Sequence, residues 1–211
     1  MVGCVRSALH RLMCYVYSTL AYRQMGWVGD DKSSTNLVMF IDADFAGCPR
    51  TQRSTTGIHL VLAGKVTTFP LSNISRTQSA VALLTPEAEM SAGNTGVVYE
   101  MLPARDVCDK ILSKKYMSIH LGDNKAMIRV IKTGRNPTMR HLQRMHRVNV
   151  ASLYEKFQDP RMDLDHVGTN DMAADIYTKG FTSAQKWVAS LKSINVFTRE
   201  SLSRLKMKIL S

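Results

Sequence analysis

Leu37-Val38-Met39-Phe40-Ile41-Asp42-Ala43-Asp44-Phe45 is an apolar, β-prone run broken twice by aspartate. Strand side chains alternate, so Asp42 and Asp44 share one face. Carboxylates in such a setting lose hydration and repel each other, so two acids on a buried strand need a chemical reason. Working outward from this stretch, Gly57 to Ala63 and Lys65 to Phe69 flank Gly64-Lys65, a pattern suited to a hairpin. That gives three early strands.

Further along, Thr85-Pro86-Glu87-Ala88-Glu89 reads as a helix start, with Thr as cap, Pro at the first helical position and acid in the first turn. This helix is expected to run past Gly93 and Gly96 toward Leu102, where Pro103 kinks or ends it. A second helical stretch covers Asp106 to Leu112. Tyr116 to Leu121 reads as a strand ending at Gly122-Asp123-Asn124, and Lys125 to Lys132 as a helix through Met127, Ile128 and Ile131 that Gly134 stops. Thr138 to Phe157 is a further helix, Met162 to Val167 a fifth strand, and Thr169 or Asn170 caps a helix reaching Lys179. The order β-β-β-α-β-α-α-β-α predicts an α/β fold with a mixed sheet, its first three strands a meander and its last two joined by helical crossovers.

Composition sets outer bounds. A chain of 211 residues supports one core with extensions, and 45% hydrophobic with 21% charged residues is the make-up of a soluble globular protein. Lys and Arg outnumber Asp and Glu by 28 to 17, and the resulting +11 favours a polyanionic partner. Cys4, Cys14, Cys48 and Cys108 lie far apart with no C-x-x-C pair, so they read as reduced intracellular thiols, in the cytoplasm or nucleus. No apolar run approaches the ~20 residues of a membrane span. Ser7 to Tyr22 has helical apolar spacing, and Gly26, Asp30-Asp31 and Ser33-Ser34 form a linker, dividing the chain into a helical segment with linker (1–35), a central domain (36–197) and a basic tail (198–211). The first 29 residues hold Arg6, Arg11 and Arg23 without an acid, a bias shared by mitochondrial transit peptides.

Four acids recur where folds present side chains: Asp42 in the first strand, Glu89 early in the first long helix, Asp123 at the end of the fourth strand and Asp175 in a late helix. Singly each is weak, because a lone acid is usually a solvated charge or a cap. Clustered carboxylates shift that prior, and their natural company is a divalent cation of the Mg²⁺ or Mn²⁺ type.

Ile41-Asp42-Ala43-Asp44-Phe45-Ala46-Gly47-Cys48, followed by Gln52-Arg53-Ser54-Thr55-Thr56-Gly57, resembles the D-A-D-W-A-G-C…R-S-T-S-G signature of ribonuclease H domains from copia-type (Ty/copia) retrotransposon polyproteins. Pro86-Glu87-Ala88-Glu89-Met90 is similar to their A-E-A-E-Y, Gly122-Asp123-Asn124 to their C-D-N, and Ala174-Asp175-Ile176-Tyr177-Thr178-Lys179-Gly180 to their A-D-I-F-T-K-G. Four ordered matches make a more specific signal than any single string. His10 to Trp27 is similar to the segment connecting reverse transcriptase to this domain.

The resemblance implies a ribonuclease H-like five-stranded mixed sheet flanked by helices, and an endonuclease that hydrolyses the RNA strand of RNA–DNA hybrids. It also implies that Asp42, Glu89, Asp123 and Asp175 bind two Mg²⁺ ions, with Mn²⁺ as the alternative metal. Asp42 would bridge both ions, Glu89 and Asp123 would hold the ion near the leaving group, and Asp175 the ion that activates water. Asp44 and Glu87 remain second choices within D-A-D and E-A-E. Related enzymes carry a mobile-loop His about ten residues before the last acid, whereas His166 falls in the fifth strand. His141 and His146 are five apart, off the spacing for two ligands on one helical face.

Lys125, Arg129, Lys132, Arg135, Arg140, Arg144 and Arg147 form a basic run without an acid, usually just a solvated helix face. Beside a metal site it becomes an electrostatic track for the phosphates of a hybrid. The expected partners are the hybrid and the reverse transcriptase domain of the parent polyprotein, with no membrane. A second reading is a catalytically silent relic that only binds nucleic acid, since the chain has neither a Y-x-D-D polymerase motif nor an integrase zinc motif. A mitochondrial basic protein is the third.

Overall fold

The computed structural model describes residues 2–134 and 144–203, with 2–4 and 144–149 by backbone alone. A helix α1 (Val2–Thr19) and a short strand β1 (Arg23–Gln24) precede β2 (Asn36–Asp44), β3 (Thr55–Ala63) and β4 (Thr68–Thr77). Then come α2 (Thr85–Gly96), α3 (Leu102–Leu112), β5 (Ser118–Gly122), α4 (Lys125–Thr133), α5 (Arg144–Lys156), β6 (Met162–His166), α6 (Ala184–Ser193) and β7 (Val196–Phe197). The main sheet has five strands in the order β4-β3-β2-β5-β6. Neighbours β4, β3 and β2 are antiparallel, whereas β2, β5 and β6 are parallel. The fold is therefore the five-stranded mixed sheet flanked by helices that the order of elements predicts.

The core lies between this sheet and the layer of α2, α3 and α5. Leu37, Met39, Ile41 and Ala43 of β2 and Ile58, Leu60 and Leu62 of β3 pack against Ala88, Met90, Ala92, Val97, Met101 and Leu153. Each fully buried Leu, Ile, Val or Met side chain among them contributes about 1.5–3 kcal/mol. One of the two glycines in α2 has a use: a Cβ at Gly96 would stand 3.0 Å from Met39 Cε and 3.3 Å from Ile58 Cδ1, so its absence lets the helix settle on the sheet.

Several expectations shift in detail. Pro103 neither ends nor breaks its helix, because a π turn (Val97–Met101) resets the hydrogen-bond register and places the proline in the first turn of α3, where its missing N–H costs nothing. Strand β4 runs on through Pro70 to Thr77 rather than stopping at Phe69. It is an edge strand, where proline is tolerated, and the register with β3 shifts at Leu60/Val61 opposite it. The helix expected to reach Lys179 is instead two 3₁₀ segments, Thr169–Asp171 and Ala173–Tyr177. Of the long helix from Thr138, α5 accounts for Arg144 onward.

The segment after α1 is tied to the body. Arg23 pairs with Phe197 and Gln24 with Val196, and Met25 N–H donates to the Asn195 carbonyl at 2.8 Å. Trp27 and Thr68 exchange two backbone hydrogen bonds of 3.0 Å. Among the described residues no helix is long and apolar enough to cross a membrane.

Candidate active site

Asp42 is near the end of β2 and pairs with Gly57 of β3. It faces away from the core, as alternation from Ile41 and Ala43 requires. The segment 173–179 lies over this face. A Cβ at Gly57 would meet Thr178 Cγ2 at 2.6 Å and the Ala174 carbonyl at 2.8 Å, so only glycine allows the approach. Thr178 and Lys179 N–H groups both return to the Asp175 carbonyl, at 3.2 and 2.9 Å, which turns their side chains toward β2. The Thr178 hydroxyl donates to Asp42 Oδ2. Lys179 Nζ reaches Asp42 Oδ1 at 3.4 Å and Asp175 Oδ1 at 2.7 Å. Asp123 directly follows β5, and the next residue, Asn124, caps α4 by accepting from Ala126 and Met127 N–H. Glu89 comes from the first turns of α2, hydrogen-bonded to the Asn124 side chain.

The electrostatics are those of crowded acids. Burial pushes the Glu89 carboxyl up to about 7, and the charges on Asp123 and Asp42 add to that, against the opposing Asn124 bond and Lys179. Burial likewise raises Asp175; the Lys179 bond and charge oppose it, while Asp42 and Asp123 push it further up. Burial alone would lower Lys179, but its bond to Asp175 and the charges on Asp42, Asp175 and Asp123 hold it above the ordinary lysine range. Among the described residues Lys179 is thus the ammonium whose charge bears on all four acids. Among the described residues no three His, Cys, Asp or Glu side chains are arranged to hold an ion as they stand. The donor chemistry nevertheless fits one: oxygen ligands, too little positive charge, and an ammonium standing between two of them.

The second choices sit differently. Glu87 is buried, 2% exposed, and its Oε2 accepts the Leu83 N–H at 2.6 Å, so it braces the start of α2. The Asp44 carboxylate lies over Gly47, where an added Cβ would collide with its Oδ2. His166 is exposed, and its Nε2 hydrogen-bonds the Asp123 carbonyl at 3.2 Å. Lys125, Arg129 and Lys132 form an exposed stripe on α4, opposite the buried Met127, Val130 and Ile131. Arg135 and Arg140, with His141, lie outside the described residues, and Arg144, His146 and Arg147 are backbone positions of α5.

Residues to which the sequence assigns no role do much of the positioning. Tyr177 OH donates to Asn73 Oδ1 at 3.0 Å, His59 Nδ1 bonds the same oxygen at 2.6 Å, and the two rings stack 6.1 Å apart. Ser75 Oγ donates to the Tyr177 carbonyl at 2.6 Å. These contacts fasten the turn carrying Asp175, Thr178 and Lys179 to β3 and β4. A polar His59 amid the apolar run Gly57 to Ala63 is the one signal of this in the sequence.

Solved structures of ribonucleases H are similar to this chain. LC11-RNase H1, isolated from compost by a metagenomic approach, is 15% identical at a TM-score of 0.45, covering 68% of this chain and 92% of that one. The N-terminal RNase H domain of a Mycobacterium tuberculosis protein is 15% identical at 0.44, covering 76% and 99%. The protease-reverse transcriptase of prototype foamy virus is 14% identical at 0.41, covering 82% of this chain and 22% of that one. No protein-family model matches the chain, and no curated protein does.

Proposed function

We propose that this chain is a copia-type retrotransposon ribonuclease H, an endonuclease that hydrolyses the RNA strand of RNA–DNA hybrids with two divalent ions. The observation that carries the reading is the convergence of Asp42, Glu89, Asp123 and Asp175 from four separate elements onto one end of the sheet, with Lys179 as their counter-charge among the described residues. Asp42, Glu89, Asp123 and Asp175 would hold the ions, Mg²⁺ or Mn²⁺. When bound, such ions supply an activated water and neutralise charge on the scissile phosphate and leaving oxygen.

The chain's own residues prepare this. The Asn124 side chain orients Glu89 beside Asp123. The His59–Asn73–Tyr177 contacts fix the turn that presents Asp175. The exposed Lys125, Arg129 and Lys132 stripe begins one helix cap away from Asp123 and suits a phosphate backbone running off the site. Hybrid preference would come from groove shape and 2′-hydroxyl contacts, without sequence readout. The reading puts the chain in the cytoplasm or nucleus, alongside the reverse transcriptase of its parent polyprotein.

The test is incubation of the chain with a labelled RNA–DNA hybrid. Cleavage of the RNA strand with Mg²⁺ or Mn²⁺, none with chelator and none of DNA duplex, is expected. Hybrid binding without cleavage under either metal would leave the silent, binding-only alternative.

A further inference from the structure

Both carboxylate oxygens of Asp42 are engaged from one dipeptide, Oδ2 by the Thr178 hydroxyl and Oδ1 by Lys179 Nζ. Lys179 also holds Asp175 at 2.7 Å, four residues back on its own turn. Among the described residues these are the ion pairs that Asp42 and Asp175 make. The same side chain lies between acids that, without it, have no cation among the described residues. The chain is anchored just before this pair, at Tyr177, by Asn73 and Ser75. Just after it the surroundings open, for a Cβ at Gly180 would meet nothing within 4 Å. Lys179 itself keeps over a third of its side chain in solvent, so it has room to leave.

We infer that Thr178 and Lys179 form an internal latch, in which the Lys179 ammonium occupies the place of a divalent ion and withdraws into solvent when an ion takes Asp42 and Asp175. The inference rests on the metal reading of the site. Its physical content is competition: one ammonium and one hydroxyl block ligand oxygens that an ion needs, and whatever fraction of molecules is latched reduces apparent affinity by that fraction. The latch also gives the ion-free acids a counter-charge, so the site folds before it is loaded.

Calorimetric titration with Mn²⁺ at fixed pH, on the full chain and on Lys179→Met, tests it. The variant should bind Mn²⁺ about tenfold tighter, because no ion-competent molecules are held in the latched state. In chelator it should melt at a lower temperature than the parent. A second measurement needs no variant: acylation of the Lys179 amine by an N-hydroxysuccinimide ester, followed by peptide mass spectrometry, should proceed severalfold faster with saturating Mn²⁺ than with chelator. Equal or weaker Mn²⁺ affinity in the folded variant, or acylation indifferent to Mn²⁺ where Mn²⁺ binds, overturns the latch alone. If neither protein binds Mn²⁺, the metal reading falls and the latch with it.

Discussion

Among the described residues, four acids gather around one ammonium at the Asp42 end of β2, whereas behind β5 the partly buried charges are matched. There Arg105 Nη1 meets Asp159 Oδ2 at 3.0 Å and Arg161 Nη1 meets Asp109 Oδ2 at 2.7 Å. The backbone N–H of Arg161 and the Arg105 guanidinium hold Asp159 below the usual carboxylate range. Burial pushes Asp109 up, but the Tyr116 N–H and Arg161 outweigh it and leave it low. Beside them His120 is fully buried, edge-on to Phe157 at 4.9 Å, its two ring nitrogens without a hydrogen-bond partner among the described residues. Burial, with Arg105, pushes it down to about 3, so it stays neutral. Both groups are partly buried polar clusters against one sheet. In one the charges cancel and Asp109 and Asp159 move down, as in a structural network; in the other they do not cancel and Glu89 and Asp175 move up, as at a site awaiting a cation.

The largest effect that could break this contrast belongs to Asp42. Asp42→Asn should slow hybrid cleavage by about a thousandfold or more in single-turnover assays, while the metal-free protein keeps its fold because carboxylate repulsion is relieved. Full activity would make the Asp42 cluster one more structural network. Next come the two glutamates of α2. Glu89→Gln should lower the cleavage rate about a hundredfold with little harm to folding, since it removes a strained charge. Glu87→Gln should leave the rate within a few-fold but cost about 1 kcal/mol in denaturant unfolding, because a charged acceptor for the Leu83 N–H becomes a neutral one. The reverse pattern would exchange their roles.

The pH dependence of stability separates the clusters by sign. Glu89 is raised from 4.5 to about 7, so its contribution to stability is present below 4.5 and is lost as pH rises through 7. His120 is lowered from 6.5 to about 3, so its contribution is present above 6.5 and is lost as pH falls toward 3. Between 4.5 and 6.5 the two oppose, each with a slope of up to about 1.4 kcal/mol per pH unit. In that window, and in chelator, His120→Leu should become less stable as pH rises and Glu89→Gln more stable. Identical slopes in the two variants would show that the clusters do not differ as argued. The smallest effect concerns the α4 stripe: Arg129→Gln with Lys132→Gln should flatten the plot of log hybrid affinity against log salt by roughly 0.7–0.9 for each phosphate that is no longer neutralised. The half-saturating hybrid concentration should rise while the saturated rate holds, as when uniform binding is removed.

The strand with two acids made the sheet legible, because burial on both sides of β2 leaves an apolar run that tolerates Asp42 only at its open end. The hairpin after it was visible in Gly64-Lys65. What stayed hidden is non-local or too short to have a period. Strands of two residues such as β1 and β7 carry no alternation, and the 3₁₀ turns at 169–177 look helical in sequence because their polar spacing is that of a cap. The choice between Glu87 and Glu89 depends on which way the first turn of α2 faces the sheet, and spacing alone does not tell. Lys179 reads in sequence as one letter of a string; its role exists only because Gly57 lets the turn lie against β3.

The two-residue ribbon of β1 with β7 brings Arg23 opposite Phe197. Residues 23–197 therefore come in and leave at one place, and a segment with adjacent ends behaves as a plug-in part. It can be spliced into an exposed loop of a host protein without stretching either, or joined end to end and reopened at the Gly64-Lys65 turn, with every strand of the sheet keeping its neighbours.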